Sequence, residues 1–187
     1  VHPERTWANT GARPGDVLIL TKAIGTGTLC AGLKKGAWDE SGILEAVESM
    51  ALLNNAIDFL GPEDLPHVHA ATDVTGFGLS GHGLQMARAS GAALRLNVTQ
   101  VPLLARALES LEMGHLTRAH RTNHEYTQAR TRLSGQVGEL QHKLLHDPQT
   151  SGGLLLSVER SRAGVILEKL LPRFPRAIGV VTSPQAA

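Results

Sequence analysis

The segment ATDVTGFGLSGHG, residues 71–83, sets one carboxylate against four glycines. Asp73 ends a run of small residues that reads as a strand; Gly76, Gly78 and Gly81 follow, and a helix begins. Glycines at this spacing let a backbone approach phosphate closely, and the letters match the dinucleotide pattern G-x-G-x-x-G. Two features speak against a dinucleotide. No Asp or Glu stands about 20 residues further on to hold a ribose, since the next strand ends in Asn97-Val98. A bare carboxylate at Asp73 would also repel a pyrophosphate. The repulsion becomes attraction if Mg²⁺ lies between, because Mg²⁺ takes one or two carboxylates together with phosphate oxygens and waters. Asp73 is therefore a candidate ligand for a metal–nucleotide complex. The structural alternative is that its carboxylate caps the turn by accepting the N–H of Thr75 or Gly76.

HDPQTSGGLLL, residues 146–156, is the second candidate. Pro148 holds Asp147 extended. Thr150, Ser151, Gly152 and Gly153 leave backbone N–H groups free to form an anion-binding nest. The alternative is a turn leading into a strand, with Asp147 bonding its own backbone. His67 and His69, two apart on one expected strand face, have the spacing of a metal pair but no third ligand nearby in sequence, so solvated or packed imidazoles are expected. His82, at a helix start, either faces a cleft or supports the turn. His115, His120 and His124 fall in a polar stretch and are expected to be exposed. Cys30, on an apolar helix, reads as packing. Lys34-Lys35 suits the negative end of a helix.

These residues need a scaffold, and composition allows one. The chain has 187 residues, 42% hydrophobic and 19% charged, which is the balance of a globular domain. Aromatics are only 3%, so the core must rest on Leu, Val, Ile and Ala. A net charge of +1 argues against a nucleic-acid-coating protein. One cysteine excludes an internal disulfide framework and a thiolate metal cage, and fits a reducing, cytoplasmic setting. No run reaches the 18 or so apolar residues of a membrane span. The opening VHPERTWANTGARPGD has no initiator Met and no early core strand. Residues 1–15 read as a linker or tail and 16–187 as the domain, part of a longer protein.

Strands are expected over 16–25, 68–73, 92–98, 153–158 and 176–183. Helices are expected over 26–36, from Ser41 as N-cap to Gly61-Pro62, over 78–91, over 101–114 with Pro102 in the first turn, over 135–146 and over 159–171. Residues 115–135 read as a long loop with some helix. The order is not a clean βαβ repeat, so an α+β (mixed α/β) fold is expected, a mixed sheet packed with helices.

Taken together, LTKAIGTGTLCAGLKKG (20–36), ATDVTGFGLSGHGLQMA (71–87), HDPQTSGGLLLSV (146–158) and AIGVV (177–181) resemble the C-terminal half of the selenophosphate synthetase (selenide, water dikinase) family. The resemblance runs from about Pro14 to about Thr182, within the wider aminoimidazole ribonucleotide synthetase-like group. It implies that the full-length protein makes selenophosphate, AMP and phosphate from ATP, selenide and water with Mg²⁺. It places the nucleophilic Cys or Sec, its Lys partner and most ATP-binding residues in an N-terminal domain outside this chain, so no catalytic residue is expected here and Cys30 is not the nucleophile. Asp73 matches the family's C-terminal metal ligand. Thr75 and Gly76 match the same motif and are candidate nucleotide contacts. The implied partners are the protein's own N-terminal domain and, for the full-length protein, a second copy; this chain alone is expected to be monomeric and inactive. Where the family often has Glu after Gly-His, this chain has Gln85, and HRTNHEY (120–126) replaces a more glycine-rich loop, with Asn123 aligned to a family Asn. A non-catalytic interaction domain, or a related kinase or synthetase of the same group, are the competing readings. An upstream glycine-rich segment with Cys or Sec and a Lys three residues later favours the enzyme.

Overall fold

The sequence VLIL carries no polar side chain, and the strand it forms, β1 (Val17–Leu20), lies at the centre of the sheet with both faces covered. The structure is a computed structural model and describes residues 6–184. After β1 come α1 (Thr26–Lys34), α2 (Leu44–Ala51), β2 (Val68–Asp73), α3 (Gly78–Ala89), β3 (Ala93–Leu96), α4 (Ala107–Glu112), α5 (Arg118–Thr127), α6 (Glu139–Leu144), β4 (Leu154–Val158), α7 (Ala163–Lys169) and β5 (Arg176–Thr182).

The strand order is β2-β4-β1-β5-β3, and all four neighbouring pairs are antiparallel. The α+β class holds, while the expected mixed sheet is corrected to an antiparallel one. The physical reason lies in the insertion of the two late strands. β1, β2 and β3 point the same way, as strands joined through helices do, but β4 separates β1 from β2 and β5 separates β1 from β3. Parallel pairing among the described residues is confined to an isolated bridge between Ile24 and Leu103.

Alternation along the strands feeds two apolar layers. Leu18, Leu20 and Leu155 enter the larger core under α1, α3, α4 and α6. Ile19, Leu156 and Val158 enter the smaller one with Ala163, Ile166 and Leu170. A register shift between Val68 and Ala70 sends these two residues to opposite layers although they are two apart.

Several helices are shorter than periodicity suggests because tertiary partners take their backbone. The expected helix from Ser41 to Gly61 stops at Ala51, and a 3₁₀ turn follows over Ala56–Phe59. Lys22 Nζ donates to Leu52 O at 2.6 Å and Asn54 Nδ2 donates to Gly152 O at 2.6 Å, holding the break open. Ser41 does not cap; its hydroxyl donates to Asp39 Oδ1 at 2.7 Å. Pro102 does not start a helix, since Pro102 O and the Leu104 N–H bond to Ile24, and α4 begins only after Arg106 turns left-handed (φ 67°). Conversely, α5 occupies the stretch read as mostly loop; Thr117 caps it by accepting the His120 N–H at 3.2 Å. Within the segment read as linker, residues 1–5 lie outside the described residues, and the rest is anchored: Ala8 O accepts from Ala71 N at 2.8 Å, and Thr10 Oγ1 donates to Ala89 O at 2.9 Å. Among the described residues no helix is long and apolar enough to cross a membrane.

Candidate functional site

Asp73 is the last residue of β2 and stands opposite Leu154 in the β4 ladder. The chain leaves the sheet there, but the two strands stay joined: Val74 N–H donates to Gly153 O at 2.8 Å, and Gln149 N–H donates to Thr75 O at 2.9 Å. A Cβ on Gly152 would run into the Val74 carbonyl oxygen, so this approach requires a glycine. The two motif segments, separated by about seventy residues of chain, are thus laid side by side.

The Asp73 side chain is exposed. Its backbone carbonyl accepts from Thr72 Oγ1 at 3.2 Å, and among the described residues its carboxylate takes neither a hydrogen bond nor an ion pair. The alternative in which Asp73 caps its own turn is therefore not realised. Thr75 O instead receives the Gly78 N–H at 3.0 Å, and Thr75 Oγ1 lies 3.2 Å from His82 Nε2. His82 is buried beside the turn; desolvation pushes its imidazole below the usual histidine range, against an upward pull from the Asp73 charge. Gly76 is exposed, with open space where a Cβ would stand. The start of α3 is not an open anion site, because Leu145 O accepts the Ser80 N–H at 2.9 Å.

The 146–153 loop does something neither sequence reading anticipated. Gly25, at the head of α1, has φ 130° and no side chain to cap the helix. Gln149 Oε1 takes the N–H groups of Gly25 (2.9 Å) and Thr26 (3.2 Å) and lies 3.2 Å from Thr26 Oγ1. Asp147 Oδ2 takes the Gly27 N–H at 3.0 Å. Two side chains remote in sequence thus satisfy donors that a helix start otherwise leaves unpaired. The loop's side chains thus cap α1 from a distance, the Asp147 carboxylate goes to α1 rather than to its own backbone, and of the N–H groups expected to form a nest that of Thr150 is taken by Thr26 Oγ1 at 2.9 Å. Burial pushes the Asp147 carboxyl up to about 7, with the Thr28 and Gly27 N–H groups and the Gln149 amide pulling the other way. Its Oδ1 has no hydrogen-bond partner. Lys22 Nζ anchors the far end of the loop by donating to Ser151 O at 2.8 Å; burial, then the Arg173 charge, lowers its ammonium below the usual range.

Asn123 ties both turns to α5. Its Nδ2 donates to Gly76 O at 2.8 Å and to His146 O at 3.0 Å. Sequence reasoning saw only that an Asn stands here; nothing local signals a residue that bridges two remote turns. Of the histidines expected to be exposed, His115 and His120 are buried and His124 is half-buried. His115 packs edge-on to Trp38, with ring centroids 5.5 Å apart, and His120 Nε2 donates to Lys143 O at 2.9 Å. The amphipathic wrap of α5 onto the domain explains the difference, since one face of a polar helix is still covered. His67 and His69 each meet a carboxylate, Glu159 at 2.8 Å and Asp16 at 2.9 Å, and form no metal pair. Cys30 is half-buried, and desolvation, then the Asp147 charge, raises its thiol above the usual range, which fits packing rather than reactivity. Among the described residues no three His, Cys, Asp or Glu side chains form a ready-made metal centre.

The geometry therefore leaves one open carboxylate, Asp73, above a glycine turn whose backbone is fixed by β4, the 147–153 loop and α5. A single carboxylate without a competing protein partner is the kind of donor that Mg²⁺ shares with phosphate oxygens and waters.

Comparison with known proteins bears on the origin of this arrangement. The chain is 52% identical over 177 residues to the selenide, water dikinase of Bdellovibrio bacteriovorus, covering 95% of this chain and 50% of the relative. It is 46% identical over 186 residues to that of Nitrosomonas eutropha, covering 99% and 53%. The chain thus spans about half the length of the curated relatives it matches. Among solved structures, the hydrogenase maturation protein HypE of E. coli superposes with a TM-score of 0.68 at 19% identity, over 97% of this chain and 47% of that one. Thiamine-monophosphate kinase from Stenotrophomonas maltophilia superposes with a TM-score of 0.61 at 20% identity, over 100% and 53%. At these identities the structural likeness speaks to fold alone. The family described as AIR synthase related protein, C-terminal domain, matches residues 13–186, and the chain belongs to it.

Proposed function

We propose that this chain is the C-terminal domain of a selenide, water dikinase, residues 16–187, with residues 1–15 leading in from an N-terminal ATP-binding domain. The whole protein makes selenophosphate, AMP and phosphate from ATP, selenide and water. The observation that carries the reading is the exposed, unpartnered Asp73 carboxylate beside a turn clamped to the HDPQTSGG loop. The relatives' printed name supplies the reaction.

Asp73 would hold a Mg²⁺ shared with the phosphates of ATP, and Thr75 and Gly76 stand where the nucleotide would pass. The ion, when bound, neutralises phosphate charge during transfer. The chain's own residues contribute position. Gly152 and Gly153 keep the loop against Val74, Asn123 donates to the Gly76 carbonyl, and buried His82, its imidazole held below the usual range by desolvation, stands beside Thr75. The nucleophile belongs to the N-terminal part, and this chain alone is inactive. The full-length protein is cytoplasmic and dimeric.

The test is Asp73→Asn in a full-length protein carrying this chain. Selenide-dependent AMP formation is expected to fall at least about a hundredfold, while the unfolding free energy moves by less than about 0.5 kcal/mol because the carboxylate is exposed and unpaired. Near-wild-type turnover would overturn the role of Asp73. Selenide-dependent AMP formation by the 187-residue chain by itself would overturn the division of labour.

A further inference from the structure

Four of the chain's nine histidines meet where α5 packs beside α6 and the start of the HDPQTSGG loop. His120 and His124 lie on α5, His142 lies in α6, and His146 follows just past its end. Ring centroids are 4.9 Å apart for His124 and His146, 5.0 Å for His142 and His146, 6.0 Å for His120 and His146, and 6.1 Å for His124 and His142. Neutral rings at these separations pack edge to face as other aromatic pairs do. Protonated rings at the same separations are like charges in a seam with little water, and they repel.

His146 sits at the centre of the seam and is buried. Its Nδ1 lies 2.7 Å from Ser80 Oγ and 3.4 Å from Thr127 Oγ1, while its Nε2 has no hydrogen-bond partner. A protonated ring carries N–H on both nitrogens, so the closed seam would bury a cation with one donor unpaired. The surrounding elements offer no compensating acid. α3 carries no carboxylate. On α5, Glu125 is exposed and paired with Arg121; on α6, Glu139 is exposed and paired with Lys143. On α4, Glu109 is paired with Arg106 and Glu112 is exposed. Asp147, next to His146 in the chain, turns its carboxylate to the Gly27 N–H. Lys143 adds a further like charge near His120. Burial first, then His142, His124 and His120, holds the His146 imidazole down to about 3; burial is also the leading cause that lowers His120 and His142.

We propose that His120, His124, His142 and His146 form an acid-released latch: the neutral rings hold α5 against α6 and the loop, and proton uptake by the rings lifts α5 away. The Asn123 amide leaves with α5, so the Gly76 and His146 carbonyls lose their donor and the turn that carries Asp73 is loosened. A lifted α5 uncovers His146, whose proton affinity returns to the ordinary value of 6.5. The latch is therefore closed above pH 6.5 and weakens by about tenfold per pH unit below it for each such proton. Asp147 works in the other direction. Its carboxyl, raised to about 7 by burial, takes up a proton in the folded chain as the pH falls, which opposes global unfolding. That opposition does not reach α5, because Asp147 stays seated on α1 when α5 alone lifts. Acid therefore opens α5 selectively.

The experiment measures amide hydrogen exchange in α5 and in β1 between pH 7 and pH 5, each rate divided by its intrinsic rate at that pH. Protection in α5 is expected to fall about twentyfold from the His146 proton alone, and clearly more than protection in β1, which opens only with the whole domain. Equal responses in α5 and β1, or no response in α5, would overturn the proposal. His146→Gln should flatten the α5 response. His142→Gln, at a half-buried position that tolerates the change, removes one repelling ring and should shrink the response at least about twofold, so it decides the point if His146→Gln does not fold. His67→Gln should leave the response unchanged. A response undiminished in His142→Gln would also overturn the proposal, since the titrating groups would then lie elsewhere. The exchange readout needs neither ATP nor selenide, so its outcome is separate from that of the proposed activity.

Discussion

Asp147 and Gly27 are 120 residues apart in sequence, yet the carboxylate of one accepts the backbone N–H of the other at 3.0 Å, closing the amino end of α1. The contact leaves no room for a side chain. A Cβ on Gly27 would strike the Pro148 carbonyl oxygen and lie 2.7 Å from Asp147 Oδ1. Gly27→Ala should therefore destabilise the domain by about 1–3 kcal/mol, as overpacking does. Gly164→Ala on exposed α7, where a Cβ meets open space, should raise stability by a few tenths to about 1 kcal/mol. Urea unfolding of both variants checks the contrast; equal effects would mean that the α1 cap is not tight.

Gly152 is the corresponding close point between the loop and the Asp73 turn. In Gly152→Ala the added methyl meets the Val74 carbonyl oxygen, which belongs to the backbone and cannot turn aside. Loss of the Val74–Gly153 hydrogen bond should follow, with faster amide exchange at Val74 and a lower unfolding midpoint. An unchanged exchange rate at Val74 would refute the close approach.

Asn123 donates to two carbonyls with one amide group. Asn123→Ala leaves Gly76 O and His146 O without that donor, and the His146 carbonyl bond is buried. The expected cost is about 1–3 kcal/mol. Asn123→Asp should be no better, because a carboxylate cannot donate to either carbonyl. Equal stability of Asn123→Asp and the unaltered chain in thermal unfolding would contradict the assigned hydrogen-bond direction.

These residues show how much was legible. Asp73 and the glycine turn stood out because one short segment held the carboxylate, the glycines and the strand-to-helix switch. HDPQTSGG stood out too, as a motif, but what the loop does was not legible. Asp147 and Gln149 act on Gly25, Thr26 and Gly27, and no local pattern links a loop to a helix start that far away. The strands were recovered because their apolar runs are long enough to need burial, and β1 is the clearest case. The Pro102 helix failed because Ile24 captures the backbone on either side of Leu103, and α5 was read only as some helix within a long loop because its apolar face is replaced by His120, Asn123 and Thr127, polar residues buried by hydrogen bonding.

Asp64 governs the expected acid response on the opposite side of the sheet. It is buried; Arg162 donates to Oδ1 at 2.8 Å, Lys169 donates to Oδ2, and the Gly61 N–H donates to Oδ2 at 3.0 Å. Burial works to raise its carboxyl, but the Lys169 and Arg162 hydrogen bonds and the Gly61 N–H outweigh it and hold it at about 2, below the usual 3.8. The folded state therefore binds this proton less readily than the unfolded chain, so the contribution is present above pH 3.8 and is lost as the pH falls towards 2. Asp64→Asn should lower the unfolding midpoint at pH 7, and the gap to the unaltered chain should close between pH 4 and 2. A gap that stays constant with pH would show that the ion pairs do not carry the effect.

The order of strands in the sheet has a consequence for how the chain is made. β1, β2 and β3 emerge from the ribosome first, yet none of them hydrogen-bonds to another; each waits for β4 or β5. The first four-fifths or so of the chain can collapse and form helices, but it has no sheet to close until residues 154–182 are available. Nascent chains stalled before that point present unpaired, strongly apolar strands such as VLIL, a natural substrate for holding chaperones, and folding is governed by contacts of long sequence separation.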